Sequence, residues 1–164
     1  GTPEKLAWLE RNAGVDVSIN YRDHKDAASL TRALAAAAPD GVHCYFDNVG
    51  GSHLEAALNC IAFRGRIALC GMISVYNNQQ AEPGPPNLVN LIGRSASMQG
   101  YIVSIYMHLV DAFAAEVAPL LAAGKIKYEE TAYDGLGAAP RAFLGLFSGD
   151  NLGKAVIRVG PDRA

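Results

Sequence analysis

Apolar positions recur along the chain in two patterns that follow one another from the first residues to the last. Leucine and alanine at helical spacing predict helices over Pro3–Asn12, Asp26–Ala38, Asn87–Arg94, His108–Ala123 and Ala139–Ser148. Another helix is predicted to begin at Ser52 and Glu55, which have the spacing of a capping box, and to end at Gly65. Short apolar or alternating runs predict strands over Val15–Tyr21, Val42–Asp47, Ile67–Gly71, Met98–Val103, Lys125–Thr131 and Lys154–Val159.

Helices and strands that alternate in this way are typical of an α/β protein. Val42–Phe46 and Ile67–Cys70 are apolar on both faces, as strands are in the interior of a parallel sheet covered by helices. The pattern therefore predicts a doubly wound parallel sheet. The sequence pattern changes near Ala123–Lys125. We therefore expect one domain over residues 1–124 and a distinct segment over residues 125–164.

Composition and charge narrow the classes of function. The 164 residues are 50% hydrophobic and 18% charged, which suits a globular chain with a core. The net charge of -2 argues against a nucleic-acid partner bound through its phosphates. The charge-free stretches Ile67–Ala81 and Ser95–Val110 are shorter than the ~20 apolar residues of a membrane span, so we expect no membrane partner.

The cysteines and histidines do not have the spacing of a metal site. Cys44, Cys60 and Cys70 form no C-x-x-C pair, and none of the histidines is spaced as a zinc ligand, so we expect no metal. Three cysteines cannot all pair, and no secretion signal opens the chain, which favours a reducing, cytoplasmic location. Thr2 is a suitable N-cap and Pro3 suits the first turn of a helix, but no strand precedes this helix. We therefore expect the chain to begin within a larger fold.

The segments that follow the predicted strands are rich in Gly, Asn, Ser and Tyr. In a doubly wound sheet ligands bind beyond the carboxyl ends of the strands, where such residues donate hydrogen bonds and admit a flat ligand. The segments in question are Asn20–Arg22, Asp47–Gly51, Gly71–Asn77 and Ser104–Tyr106. Their succession predicts a binding crevice.

Five motifs together carry a resemblance to a known family. They are Tyr45–Gly51, Gly65–Gly71, Ile73–Asn77, Pro83–Asn87 and Gly149–Lys154. This set resembles the zinc-independent, NADPH-dependent double-bond reductases of the medium-chain dehydrogenase/reductase superfamily, the prostaglandin reductase group. The resemblance covers nearly the whole chain, in order.

The resemblance implies a protein about twice this length. Residues 1–124 would then form an incomplete Rossmann-type sheet that lacks its first strand and its Gly-rich turn. Residues 125–164 would return to a catalytic domain that lies outside the chain. It also implies a homodimer joined along the edge strand Met98–Val103.

The resemblance further implies NADP as the cofactor and assigns residues to it. Lys5 would pair with the 2′-phosphate, where an NAD enzyme places a carboxylate, and Tyr21 would lie near the same group. Tyr76 would also be the catalytic residue. The remaining implied cofactor contacts are Asn48, Cys70, Gly71, Met72, Ile73, Ser74, Val75, Tyr76, Tyr101, Ile102, Val103 and Asn151.

The implied reaction is reduction of the C=C bond of a small α,β-unsaturated ketone or aldehyde. Hydride reaches the β-carbon, negative charge grows on the carbonyl oxygen, and Tyr76 with a ribose hydroxyl would donate hydrogen bonds to it without a metal. Two alternatives stay open: an NADPH quinone oxidoreductase of the same superfamily, and a non-catalytic nucleotide-binding or dimerisation fragment. The isolated chain is expected to be inactive.

Overall fold

The computed structural model describes residues 1–161, which form two compact units. One unit comprises residues 19–111, and the other comprises residues 1–18 with residues 112–161. The α-helices are α1 (Pro3–Trp8), α2 (Ala27–Ala37), α3 (Gly51–Cys60), α4 (Val89–Gly93), α5 (Val110–Ala122) and α6 (Ala139–Ser148). The strands are β1 (Val42–Asp47), β2 (Ile61–Leu69), β3 (Ser97–Gly100), β4 (Glu130–Asp134) and β5 (Lys154–Arg158). Residues 162–164, the end of the predicted C-terminal segment, lie outside the described residues.

The unit over residues 19–111 is built on a parallel sheet in the order β1-β2-β3. Helix α2 packs against α3, and α3 contacts β1. The buried cluster consists of Leu54 and Leu58 from α3 with Ile61 and Ile67 from β2. Parallel strands with a helical crossover between them confirm the predicted α/β class.

Local sequence explains where α2 begins. The Asp26 carboxylate accepts a hydrogen bond from the Ser29 backbone N–H at 2.7 Å, and the Ser29 hydroxyl lies within hydrogen-bonding distance of the Asp26 amide. This reciprocal arrangement satisfies donors that the first helical turn leaves unpaired. The predicted helix over Asp26–Ala38 is therefore confirmed, with Asp26 as its cap.

The predicted strand Val15–Tyr21 is wrong. Residues 15–20 are irregular, and a 3₁₀ turn occupies Tyr21–Asp23. Val17 is 55% exposed, and the Glu10 carboxylate accepts hydrogen bonds from the amide and hydroxyl of Ser18. Alternation of apolar residues suits a strand only where a neighbouring strand completes the ladder, and among the described residues none pairs with this segment.

The predicted limits of α3 are also wrong. The helix begins at Gly51 with Gly50 as its cap, and no side chain caps it, so Ser52 and Glu55 do not form a capping box. It ends at Cys60 instead of Gly65, because Ile61 already belongs to β2. An irregularity in the pairing of β1 with β2, between Val42 and Cys44, absorbs the extra residues.

Three later boundaries differ from the prediction. Strand β3 ends at Gly100, because the chain turns into a 3₁₀ segment over Val103–Leu109 instead of remaining extended to Val103. The helix predicted from His108 begins at Val110, after that 3₁₀ segment. The strand predicted over Lys125–Thr131 lies at Glu130–Asp134, where Lys154–Arg158 supplies a parallel partner.

The second unit contains the parallel pair of β4 and β5, with α6 between them in sequence. Its strand ends are joined by an ion pair between Arg158 and Asp134 at 2.6 Å, with both side chains largely exposed. A surface pair of this kind contributes little to stability, so the backbone ladder is the main connection. The predicted helix Ala139–Ser148 and the last predicted strand are confirmed within a residue.

One helical segment, Val103–Ala122, is long and apolar enough to cross a membrane. Its most apolar window has a mean hydropathy of 1.4, and none of that window is buried within the described residues. Length and composition alone do not separate a membrane span from a helix that packs inside a protein. The absence of a membrane partner therefore stays a prediction.

Candidate functional site

Strand β1 ends in a turn that a buried carboxylate organises. Asp47 is fully buried. Its Oδ1 accepts hydrogen bonds from the amides of Val49 at 2.9 Å and Gly50 at 3.0 Å, and from the Tyr45 hydroxyl at 3.1 Å. An aspartate that binds the backbone two and three residues ahead is the usual device for such a turn. Residues 48–50, called here the Asn48 turn, are fixed in this way, and Asn48 itself is exposed.

The Asp47 carboxylate also affects its tyrosine partner. Burial raises the pKa of Tyr45, and the adjacent Asp47 charge raises it further. The Tyr45 hydroxyl therefore stays protonated and acts as a donor to the carboxylate.

The segment after β2, residues 70–76, is called here the Tyr76 loop, and hydrogen bonds join it to the Asn48 turn. The amides of Cys70 and Gly71 donate to the Asp47 carbonyl oxygen at 2.8 and 3.1 Å. The Ile73 amide donates to the Asn48 carbonyl oxygen at 3.1 Å. These bonds make the ends of two neighbouring parallel strands one connected surface.

Ser74 adds two further bonds between the same segments. Its amide donates to the Val49 carbonyl oxygen at 3.0 Å, and its hydroxyl donates to the same oxygen at 2.6 Å. The close approach needs a glycine on the other side, since a Cβ on Gly51 would lie 3.0 Å from the Ser74 hydroxyl.

Two more glycines leave room for this arrangement. Gly50 has φ +70°, a backbone conformation that residues with a side chain rarely adopt. A Cβ there would lie 3.0 Å from the Met72 side chain. A Cβ on Gly71 would lie 3.0 Å from the Tyr76 hydroxyl and 3.3 Å from the Asn48 carbonyl oxygen. A side chain at Gly50 would be strained by the positive φ, whereas a Cβ at Gly71 would require the Tyr76 hydroxyl and the Asn48 carbonyl to shift by a few tenths of an ångström.

Tyr76 has a fixed hydroxyl and an exposed ring. Its hydroxyl oxygen accepts a hydrogen bond from the Met72 amide at 3.0 Å, and its side chain is 66% exposed. Since the backbone amide uses a lone pair of the oxygen, the hydroxyl proton can still be donated to another acceptor. Tyr76 can therefore act as a hydrogen-bond donor whose hydroxyl is fixed by the Met72 amide after the end of β2.

Aromatic rings continue the site beyond β3. The Tyr101 amide donates to the Leu69 carbonyl oxygen at 3.1 Å. The Tyr101 ring lies 5.8 Å from that of Phe46 and 6.0 Å from that of Tyr106. Interaction with the Cys70 thiol, with smaller effects of partial desolvation and Tyr106, raises the pKa of Tyr101. These aromatic residues line a cavity of about 410 Å³ over the sheet.

The structure brings some predicted site residues together and leaves others elsewhere. Asn48, the Tyr76 loop and Tyr101 meet at the carboxyl ends of β1, β2 and β3, and Ile102 and Val103 follow with exposed side chains. Tyr21 instead lies against α3, with its ring centroid 5.5 Å from that of His53. Burial lowers the pKa of His53, and the Asp47 charge opposes that shift.

Lys5 and Asn151 belong to the other unit. The Lys5 ammonium donates to the Gly149 carbonyl oxygen at 2.7 Å, and the Asn151 side-chain amide donates to the Gly153 carbonyl oxygen at 2.5 Å. Lys5 as a residue is half-buried. Their predicted contacts with a cofactor stay predictions.

Sequence reasoning missed Asp47. It treated this residue as part of a motif and gave it no role, although an Asp directly after a buried strand and before Asn-Val-Gly-Gly is a signal for a side-chain-capped turn. It also missed a cavity of about 610 Å³ lined by the first turns of α3 and by residues 78–86. Within residues 1–161, no group of three or more His, Cys, Asp or Glu residues is placed to hold a metal ion.

A parallel sheet with Gly- and Asn-rich turns at the carboxyl ends of its strands defines a nucleotide-binding unit of the doubly wound class. The profile of the family described as "Zinc-binding dehydrogenase" matches residues 1–121. The chain belongs to this family. The resemblance to double-bond reductases is confirmed by relatives at 42–44% identity, described next.

Two curated relatives and one solved structure show how far the similarity extends. The NADP(+)-dependent 2-alkenal reductase of Nicotiana tabacum is 44% identical over 97% of this chain and 45% of its own length. Prostaglandin reductase 1 of Bos taurus is 42% identical over 96% of this chain and 47% of its own length. The crystal structure of CurA from Vibrio vulnificus in complex with NADPH is 36% identical, with a TM-score of 0.84, and covers 99% of this chain and 48% of its own. The chain therefore spans about half the length of the relatives it matches.

Proposed function

We propose that the full-length protein is an NADPH-dependent oxidoreductase that reduces the C=C bond of small α,β-unsaturated ketones and aldehydes. The observation that carries this proposal is the joined surface of the Asn48 turn and the Tyr76 loop, which presents an exposed tyrosine whose hydroxyl is held by the Met72 amide. The two reductases named above are 42–44% identical to the chain over a matched region that covers 96–97% of it.

The residues of the chain fit NADPH. Asn48 is exposed at the end of β1 and carries a side-chain amide, and Gly50 and Gly71 let the Asn48 turn and the Tyr76 loop meet beside it. Lys5 is a cation suited to a 2′-phosphate, with Tyr21 assigned to the same group. The remaining contacts would come from Cys70–Tyr76, Tyr101–Val103 and Asn151. NADPH, when bound, supplies the hydride.

Tyr76 has the chemistry for the other half of the reaction. Hydride addition at the β-carbon places negative charge on the carbonyl oxygen of the substrate, and a donor aimed at that oxygen stabilises the charge. The Met72 amide donates to the Tyr76 hydroxyl, which polarises the O–H bond and makes its proton a better donor. The resulting enolate is then protonated at the α-carbon.

The test is NADPH oxidation by the full-length protein with a simple enal, a quinone and a saturated aldehyde in parallel. We expect turnover with the enal and none with the saturated aldehyde. Tyr76→Phe should lower kcat by roughly tenfold to a thousandfold with little change in cofactor binding, as loss of one oxyanion donor does. Turnover with the quinone alone would support the quinone oxidoreductase alternative.

The same assay includes the isolated 164-residue chain, which we propose is inactive. The relatives it matches are about twice as long, and binding and orientation supply much of the rate of a two-substrate enzyme. Robust turnover by the isolated chain would refute this part of the proposal.

We further propose a cytoplasmic homodimer without nucleic-acid or membrane partners. Strand β3 is at the edge of its sheet, and the exposed Ile102 and Val103 follow it, which favours pairing along that edge. The three cysteines are free, which suits a reducing compartment.

A further inference from the structure

We propose that Asp47 is a positioning residue that holds Tyr76 in place through the hydrogen bonds joining the Asn48 turn to the Tyr76 loop. This inference rests on the proposed function for its catalytic meaning. Asp47 would not touch substrate or cofactor, since it is fully buried.

The buried carboxylate of Asp47 depends on hydrogen-bond donors from its surroundings. Burying a charge is costly unless hydrogen bonds compensate for it, and Asp47 Oδ1 accepts three of them. Within the described residues, no donor reaches Oδ2. All the hydrogen bonding of the side chain is therefore directed at the Asn48 turn and at Tyr45.

Hydrogen bonds connect the Asn48 turn, which Asp47 holds, to the Tyr76 loop. The Val49 amide is held by Asp47, and the Val49 carbonyl oxygen on the same residue accepts both bonds from Ser74. The backbone carbonyl of Asp47 itself accepts from Cys70 and Gly71. A change in the conformation of the turn must therefore move the acceptors on which the Tyr76 loop depends.

The backbone of the Tyr76 loop holds the Tyr76 hydroxyl. The Met72 amide that holds this hydroxyl lies between two residues of the loop, Gly71 and Ile73, whose amides donate to Asp47 and to Asn48. The place of the hydroxyl is thus set by backbone atoms, and those atoms are set by Asp47. A displacement of even about 1 Å at a catalytic donor can cost on the order of a hundredfold in rate.

The central test uses Asp47→Asn and Asp47→Ala in the full-length protein. Asn keeps an acceptor for the turn but loses the charge, whereas Ala loses every side-chain bond. We expect kcat with an enal to fall about threefold to tenfold for Asn and further for Ala. Tyr45→Phe removes one donor of the three and should have a smaller effect than Asn. Asp40→Asn, an exposed carboxylate in a turn before β1, is the matched control and should leave kcat unchanged.

A double-mutant cycle separates positioning from a general loss of stability. If Asp47 acts through Tyr76, the Tyr76→Phe change should cost much less in the Asp47→Ala background than in the wild type. If the two changes multiply in kcat, Asp47 does not act through Tyr76 and the proposal is overturned. Asp47→Asn replaces Asp47→Ala in the cycle if the alanine variant does not fold.

Amide hydrogen exchange tests the same link without any assay of activity. Asp47→Asn should speed exchange both in residues 48–50 and in residues 70–76, whereas Asp40→Asn should change neither segment. Faster exchange confined to residues 48–50 would overturn the proposal. An inactive wild-type protein would refute the proposed function, and the exchange data would still decide whether Asp47 fixes the Tyr76 loop.

Discussion

Lys5 forms a hydrogen bond within its own unit and is the cation that we assign to the 2′-phosphate. Its ammonium lies 2.7 Å from the Gly149 carbonyl oxygen, and the residue is half-buried. Lys5→Ala in the full-length protein should weaken NADPH far more than NADH, since only NADPH carries the 2′-phosphate. A charge-assisted contact of ~1.5–3 kcal/mol corresponds to roughly tenfold to a hundredfold in KM.

Steady-state kinetics with both cofactors measure this difference directly. Lys154→Ala, at an exposed position in β5, is the matched control and should change neither KM. Equal weakening of NADPH and NADH by Lys5→Ala would mean that Lys5 only ties α1 to Gly149.

His53 gives the protein a predictable dependence on pH. Burial lowers its pKa below the ordinary value of 6.5, while the nearby Asp47 charge opposes the shift. The unfolded chain therefore binds this proton more readily than the folded protein does. The contribution to stability is complete above about pH 6.5 and is lost as the pH falls through the folded pKa.

Thermal unfolding across a pH series provides the measurement. His53→Gln should make the loss of Tm on the acid side shallower, because the group that takes up the proton on unfolding is gone. His43→Gln, at an exposed position in β1, should keep the wild-type slope. An unchanged slope for His53→Gln would contradict the assignment.

At the residue scale, sequence and resemblance identified Asn48, the Tyr76 loop and Tyr101 but not what holds them. That Tyr76 accepts a hydrogen bond from Met72 depends on the backbone path of the loop, which no spacing in the sequence specifies. The burial of Asp47 likewise depends on packing between β1 and the loop after β2. Contacts between distant segments are set by tertiary structure, and local patterns do not encode them.

At the element scale, the Tyr76 loop packs closely around Gly71. A Cβ on Gly71 would lie 3.0 Å from the Tyr76 hydroxyl, so Gly71→Ala should push that hydroxyl away from the Met72 amide. We expect kcat to fall roughly threefold to thirtyfold with a smaller change in the KM for NADPH, because the donor moves and the backbone remains.

Gly93→Ala is the control for this substitution. Gly93 lies at the end of α4, and a Cβ there would meet no atom within 4 Å. It should keep the wild-type kcat. A Gly71→Ala protein with unchanged kcat would show that the place of the Tyr76 hydroxyl does not limit the reaction.

The elements that sequence predicted well are those with a self-sufficient local signal. Helix α2 has its own cap at Asp26, and β1 forms over the predicted residues. The expectation that β1 is an interior strand is wrong, because β1 lies at one edge of the described sheet and Asp47 is its one buried residue. The Val15–Tyr21 run failed because alternation does not supply a partner strand. The predicted capping box of Ser52 and Glu55 failed because α3 begins at Gly51, so Ser52 lies inside the helix and not at its cap.

At the scale of the whole molecule, the edge of the sheet predicts assembly. Strand β3 pairs with β2 alone among the described strands, and an unpaired strand edge favours pairing with another chain. The full-length protein should therefore elute as a dimer, with twice the protomer mass by light scattering. A mass equal to one protomer at micromolar concentration would contradict the proposed dimer.

The proposed function of the full-length protein is transfer of hydride to the β-carbon of an enal. The most direct measurement is the reaction with NADPH deuterated at the transferable position of the nicotinamide, followed by NMR of the product. We expect a saturated aldehyde with deuterium on the former β-carbon. Deuterium on the carbonyl carbon of an alcohol, or no deuterium in the product, would contradict it.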